Sequence, residues 1–196
     1  MTDKFSTIEQ VANHKINQSK LPDASEVVTS LLELEKCSRK AKTDYSLSDL
    51  LGCWSLRFIT GTKKTRKRAG TVLGAGKFIP QWLKIQITYE SAQQSTPNAG
   101  RVKNSVALSF LKLSLSGPVK FVPDKKILAF DFTSLELTVL GVKLYSGYLR
   151  RGLEAEANFH DQGLKDQAFF RYFLIKDNLI AARGRGGGLA LWSREA

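Results

Sequence analysis

The spacing of apolar residues changes at position 52. Before it they recur at steps of three and four, and after it they alternate with polar ones. Phe5, Ile8, Val11, Ala12 and Ile16 predict an amphipathic helix over 4–17, with Ser6 as N-cap and Glu9 completing a capping box. Pro22 breaks the chain, and Asp23 or Ser25 is placed to cap a second helix. That helix carries Val27, Val28, Leu31, Leu32 and Leu34 on one broad face and Glu26, Glu33, Glu35 and Lys36 on the other, so its apolar face is expected to pack on the strand-rich region after position 52. Residues 46–51 suggest one more helical turn.

Gly52 reads as a hinge, because glycine turns the backbone without a Cβ penalty. The strand predicted over 53–60 then places Trp54, Leu56 and Phe58 on one face at the period of two. Over 81–89 the alternation is clear, with Leu83, Ile85, Ile87 and Tyr89 on one face and Trp82, Lys84, Gln86 and Thr88 on the other. A polar loop spans 91–100. Strand signals then come at 101–110, 111–115, 119–122, 127–133, 135–140 and 142–149, with turns expected at Gly117-Pro118, Pro123-Asp124 and Gly141. Residues 150–167 show no pattern beyond a helical turn. Strands over 168–175, 179–182 and 189–193 end the chain, the first two joined by a hairpin at Asp177-Asn178. Short strands at this spacing predict a sandwich or a barrel.

Composition fits one domain with an N-terminal extension: 196 residues, 42% of them hydrophobic. The expected division is a helical segment over 1–51 packing on a β domain over 52–196. No apolar run reaches the ~18–20 residues that a membrane-spanning helix needs. The opening Met1-Thr2-Asp3-Lys4-Phe5 lacks the apolar stretch of a signal peptide and the Ser/Arg bias of a transit sequence. The expectation is a cytoplasmic protein, or one on a cytosol-facing membrane surface. Cys37 and Cys53 form no CxxC pair, and His14 and His160 stand far apart without cysteine neighbours, so neither a metal nor a cofactor is expected.

The net charge of +12 favours anionic partners: anionic lipid, an acidic protein surface or nucleic acid. Lys63, Lys64, Arg66, Lys67 and Arg68 concentrate that charge in one loop, the first candidate for an anionic-surface contact. Nucleic acid ranks below the others, since the basic run is one loop and the aromatics read as inward-facing. Two phosphate-binding motifs fail. A Walker loop ending at Gly76-Lys77 would need glycine where Thr71 stands and Ser or Thr where Phe78 stands, and the cluster at 184–188 leads into a strand. Glu154, Glu156 and His160-Asp161 have nothing to orient them and no placed nucleophile, so the chain is not read as an enzyme.

Gly52-Cys53-Trp54 resembles the opening of lipocalin-type barrels, in which the Trp closes the floor. Leu51-Gly52-Cys53-Trp54-Ser55-Leu56, Gly100-Arg101-Val102-Lys103-Asn104, Leu115-Ser116-Gly117-Pro118, Leu179-Ile180-Ala181-Ala182-Arg183-Gly184 and Leu189-Ala190-Leu191-Trp192 together resemble the plastid lipid-associated protein family, the plastoglobulins or fibrillins, of plants and cyanobacteria. The resemblance spans roughly residues 5–194. It implies a lipocalin-like antiparallel β-barrel of about eight to ten strands, mainly β with N-terminal helices, that holds an apolar small molecule such as a lipid, quinone or carotenoid. It also implies a peripheral location on thylakoid membranes, and the absence of a transit sequence points to a cyanobacterial-type member. The basic loop is not a feature of the family. The candidate ligand-binding residues are the large side chains of the strands, Trp54, Phe58, Trp82, Phe110, Phe130, Phe132, Tyr148, Phe170 and Tyr172, with Arg183 as the polar group. The alternative is an interaction module that docks an acidic partner, such as a light-harvesting or photosystem assembly complex, through its basic surface.

Overall fold

The computed structural model describes residues 2–13, 21–41, 43–61, 76–80, 82–92, 98–149 and 151–195. Helices α1 (Thr2–Ala12) and α2 (Ala24–Ser38) lead into a 3-10 turn (Leu47–Leu50). The strands are β1 (Gly52–Ile59), β2 (Lys77–Phe78), β3 (Leu83–Ser91), β4 (Ala99–Leu108), β5 (Leu111–Val122), β6 (Ile127–Phe130), β7 (Ser134–Val139), β8 (Val142–Tyr148), β9 (Ala168–Ile175), β10 (Leu179–Gly184) and β11 (Leu189–Arg194), with helix α3 (Gly152–Asn158) between β8 and β9. Eight strands close an antiparallel barrel in the order β4-β3-β1-β11-β10-β9-β6-β5, and β5 pairs back to β4. The β7–β8 hairpin extends the sheet beyond the barrel from β5.

Gly52 serves as the hinge. Its φ is +113°, and a Cβ there would meet the Arg194 guanidinium at 2.6 Å. Arg194 lies 4.0 Å over the Trp54 ring, and the Trp54 indole N–H donates to the Leu50 carbonyl at 2.7 Å. The 3-10 turn thereby places Leu47 and Leu50 in the lumen. Trp54, Leu56, Tyr89, Phe121, Phe130, Tyr172 and Trp192 pack together there. Phe170 stacks on Phe130 at 5.0 Å and meets Trp192 edge-on at 5.4 Å. Tyr89 and Tyr172, both fully enclosed, share a hydroxyl–hydroxyl bond of 2.7 Å, and burial pushes both phenols up. Among the described residues, the lumen is filled by side chains.

Two expectations about β strands are corrected. Phe58 does not share the face of Trp54. The β1–β11 register slips between Leu56 and Phe58, and this bulge at Arg57 turns Phe58 to the outer face. There it packs with Phe173, Leu179 and Leu191 against Ile8, Val11, Val27 and Leu31 of the two helices. Gly117-Pro118 does not turn the chain either, because β5 runs straight through it. Ser116 O accepts from Thr133 N–H and Pro118 O accepts from Asp131 N–H, so β5 exchanges β7 for β6 as its partner at this point. The Asp131 carbonyl oxygen lies 2.2 Å from where a Gly117 Cβ would stand. A residue's N–H and C=O point the same way along a strand, so the donor that Pro118 lacks faces that exchange and not β4.

The helices hold by their apolar stripes and one ion pair. α1 begins at Thr2, so Ser6 lies on its exposed face inside the helix and is not its cap, while Ile16 lies outside the described residues. Asp23 caps α2 by accepting from Ser25 N–H at 2.8 Å. Glu35 is buried, on the same stripe as Val27 and Leu31. It receives the Arg183 guanidinium through two bonds of 2.8 and 2.5 Å, while Arg183 also donates to the Gly187 carbonyl at 2.6 Å. The Arg183 bonds hold the Glu35 carboxyl below its ordinary range against the opposing effect of burial.

These contacts set two expected outcomes. Tyr89→Phe strands the Tyr172 hydroxyl and should cost about 1–2 kcal/mol in urea unfolding, whereas Tyr89→Phe with Tyr172→Phe removes both polar groups and should cost less than the single change. Glu35→Gln leaves Arg183 without its carboxylate and should cost about 2 kcal/mol at neutral pH. Because the folded-state value is lowered, the Glu35 contribution is complete above the ordinary glutamate range and fades as pH falls through the lowered value. Unfolding curves of the parent and of Glu35→Gln should therefore converge below about pH 4.

Candidate functional site

The residues expected to line one cavity fall into separate places. Trp54, Phe130, Phe132, Phe170 and Tyr172 belong to the packed lumen, and Phe58 lies under the helices. Trp82, Phe110 and Tyr148 are exposed at 66%, 60% and 52%, all on the sheet that projects past the barrel. Arg183 is engaged by Glu35 and does not face a lumen. The basic run Lys63, Lys64, Arg66, Lys67 and Arg68 lies outside the described residues. A surface cleft of about 380 Å³ at the end of α2 has a mixed lining, with Arg39, Asp124, Lys126 and Arg171 beside Pro123 and Phe173. Of the carboxylates weighed for chemistry, Glu156 accepts from Thr133 Oγ1 at 2.7 Å and pairs with Arg101, and Glu154 pairs with Arg151. Both make structural contacts.

The projecting sheet has a composition of its own. Register sets Leu83, Leu108, Leu111, Val139 and Val142 side by side across five strands, in a row nearest the tip. The next row is Ile85, Val106, Leu113, Leu137 and Tyr145. Both rows lie on the face that carries Ile87, Tyr89 and Val102 into the lumen, so one apolar face runs from inside the barrel out along the extension. Inside, those side chains are covered. Outside, Val106, Leu108, Leu111, Leu113, Val142 and Tyr145 are exposed.

The opposite face is polar. The row behind the tip reads Lys84, Ala107, Lys112, Thr138 and Lys143, and the next reads Gln86, Ser105, Ser114, Glu136 and Ser146. Glu136 pairs with Lys143 at 2.9 Å and with Lys103 at 3.5 Å, and the Lys143 bond leads in holding its carboxyl below the ordinary range. Lys84 and Lys112 have no carboxylate partner among the described residues.

At the tip itself stand Trp82, the Ser109-Phe110 turn and the Leu140-Gly141 turn, which the Leu140 N–H ties to the Phe110 carbonyl at 2.8 Å. Strand periodicity revealed the alternation but not that these rows remain uncovered. The signal for that is weak: apolar side chains persist on one face of five strands that are neighbours only in the folded sheet.

No family model matches the chain, and no curated protein matches it. Among solved structures, a redesigned β-barrel matches over 80% of this chain and 99% of its own length, at 12% identity and a TM-score of 0.36.

Proposed function

We propose that this protein is a non-enzymatic binding module that holds to a lipid surface through the exposed apolar rows of its extension. One observation carries the reading: among the described residues, six of the ten aliphatic and aromatic side chains in two rows are exposed and the other four half-buried, on a face whose inner part is packed, while the side chains of the lumen that would hold a small apolar ligand pack on one another. Five strands at about 4.8 Å and two rows at about 7 Å give roughly 300 Å² of apolar footprint, within the range of the largest apolar patch on a monomer, which is often functional. Burying it is worth about 7 kcal/mol before the costs of association. That suits a peripheral, reversible attachment.

The positive charge adds attraction to anionic lipid. The family resemblance of the sequence points the same way, toward a scaffold peripheral to photosynthetic membranes. An acidic protein partner is the second reading, supported by the same charge.

The test is co-flotation with phosphatidylcholine vesicles containing one quarter phosphatidylglycerol. Leu111→Ser with Val142→Ser should lower vesicle binding at least tenfold, with little change in melting temperature because both side chains are already exposed. Binding equal to the parent's would overturn the reading.

A further inference from the structure

The extension offers a lipid surface two ways of docking: flat on its apolar rows, or tip first. Resting on the reading that the extension binds lipid, we propose that it enters tip first, with Trp82, Phe110 and Leu140 below the headgroups and Lys84 and Lys112 among them, selecting anionic lipid.

Backbone conformation at the tip is the first support. Leu140 occupies a left-handed conformation, φ +51°, in the two-residue Leu140-Gly141 turn, and its side chain is 78% exposed. Asn or Gly fills such a position at lower cost, and leucine there gains nothing from packing in the folded chain. A branched apolar side chain held in strain and aimed at solvent is explained by what it meets outside the protein.

The neighbouring tip repeats the choice. Phe110 sits in the Ser109-Phe110 turn at 60% exposure, next to Ser109 with φ +51°. Trp82 precedes β3 at 66% exposure. Three strand ends thus present large apolar groups at one end of the sheet, and the Leu140–Phe110 bond fixes two of them together.

Charge is the second support, and it is independent of the first. Lys84 and Lys112 stand in one row, two strands apart across the small Ala107, one step behind the tip. With the tip at the boundary between headgroups and acyl chains, their ammonium groups reach lipid phosphates, and their methylene stems lie along the apolar layer. Docking flat on the apolar rows would turn both lysines away from the membrane and leave the tip at its edge.

That difference gives the test. The chain has three tryptophans, and Trp54 and Trp192 are buried, so Trp82 is the one that a lipid-borne quencher can reach. Vesicles of phosphatidylcholine and phosphatidylglycerol carrying spin-labelled acyl chains should quench Trp82 on binding, and the Trp82→Phe protein should lose that quenching. Lys84→Gln with Lys112→Gln should weaken binding to the anionic vesicles on the order of 30-fold and leave binding to pure phosphatidylcholine within about twofold. Leu140→Asn should melt at the same temperature or higher while binding the anionic vesicles about tenfold more weakly. Vesicle binding that depends on Leu111 and Val142 but leaves Trp82 unquenched would establish flat docking and overturn the tip-first geometry alone. Equal weakening of both vesicle types by the lysine changes would overturn the anionic selectivity. A parent protein that binds no vesicles but pairs with itself in light scattering would overturn the lipid reading and this one together.

Discussion

Strand β5 is the constraint on which the architecture depends. It gives its first half to β7 and its second half to β6, and β4 lies against nearly all of it on the other side. Barrel and extension are therefore one sheet with one pleat. Any alternation that points Tyr89 and Val102 into the lumen also decides which side chains of β3, β4 and β5 share that face outside it. The chain could have turned polar on leaving the barrel. It does so at Asn104, between Val102 and Val106, and then returns to Val106 and Leu108. Exposed apolar rows are thus not a forced by-product of the lumen.

The filled lumen and the bare extension divide the two tasks that an open barrel would combine. Inside, the Tyr89–Tyr172 bond and the stacked rings of Phe130, Phe170 and Trp192 satisfy and fill the space. Outside, the helices cover one flank of the barrel through Phe58 and Leu191, and the Glu35–Arg183 pair fixes where α2 ends. The extension gathers most of the large apolar groups left in water, while Leu32, Ile59 and Leu153 stand singly elsewhere.

Much of this was legible in the sequence because strand signals are local. The alternation over 83–89, the Gly52 hinge, the Asp23 cap and the Asp177-Asn178 hairpin all rest on residues within a few positions of one another. The features that escaped depended on distant partners. The bulge that turns Phe58 outward is set by pairing with Leu191. Gly117-Pro118 carries turn residues, yet their use is to admit the Asp131 carbonyl. Glu35 falls eight residues after Val27 and four after Leu31, which places it on the buried stripe, but its charge made it read as solvent-facing until Arg183 arrived from the far end of the chain. The apolar rows were readable strand by strand. Their joining into one surface was not, because register between strands is a tertiary fact.

The unbroken run of β4 and β5 from barrel to tip also restricts how this part of the gene can change. Unless a bulge absorbs it, as in β1 at Arg57, inserting or deleting one residue along the hairpin's arms would exchange the faces of everything beyond it, moving Leu113 to the side of Lys112 and the lysines to the side of the lumen. Length variation among descendants of this sequence should therefore come in steps of two, matched on both arms, as a bulge, or within the Ser109-Phe110 turn.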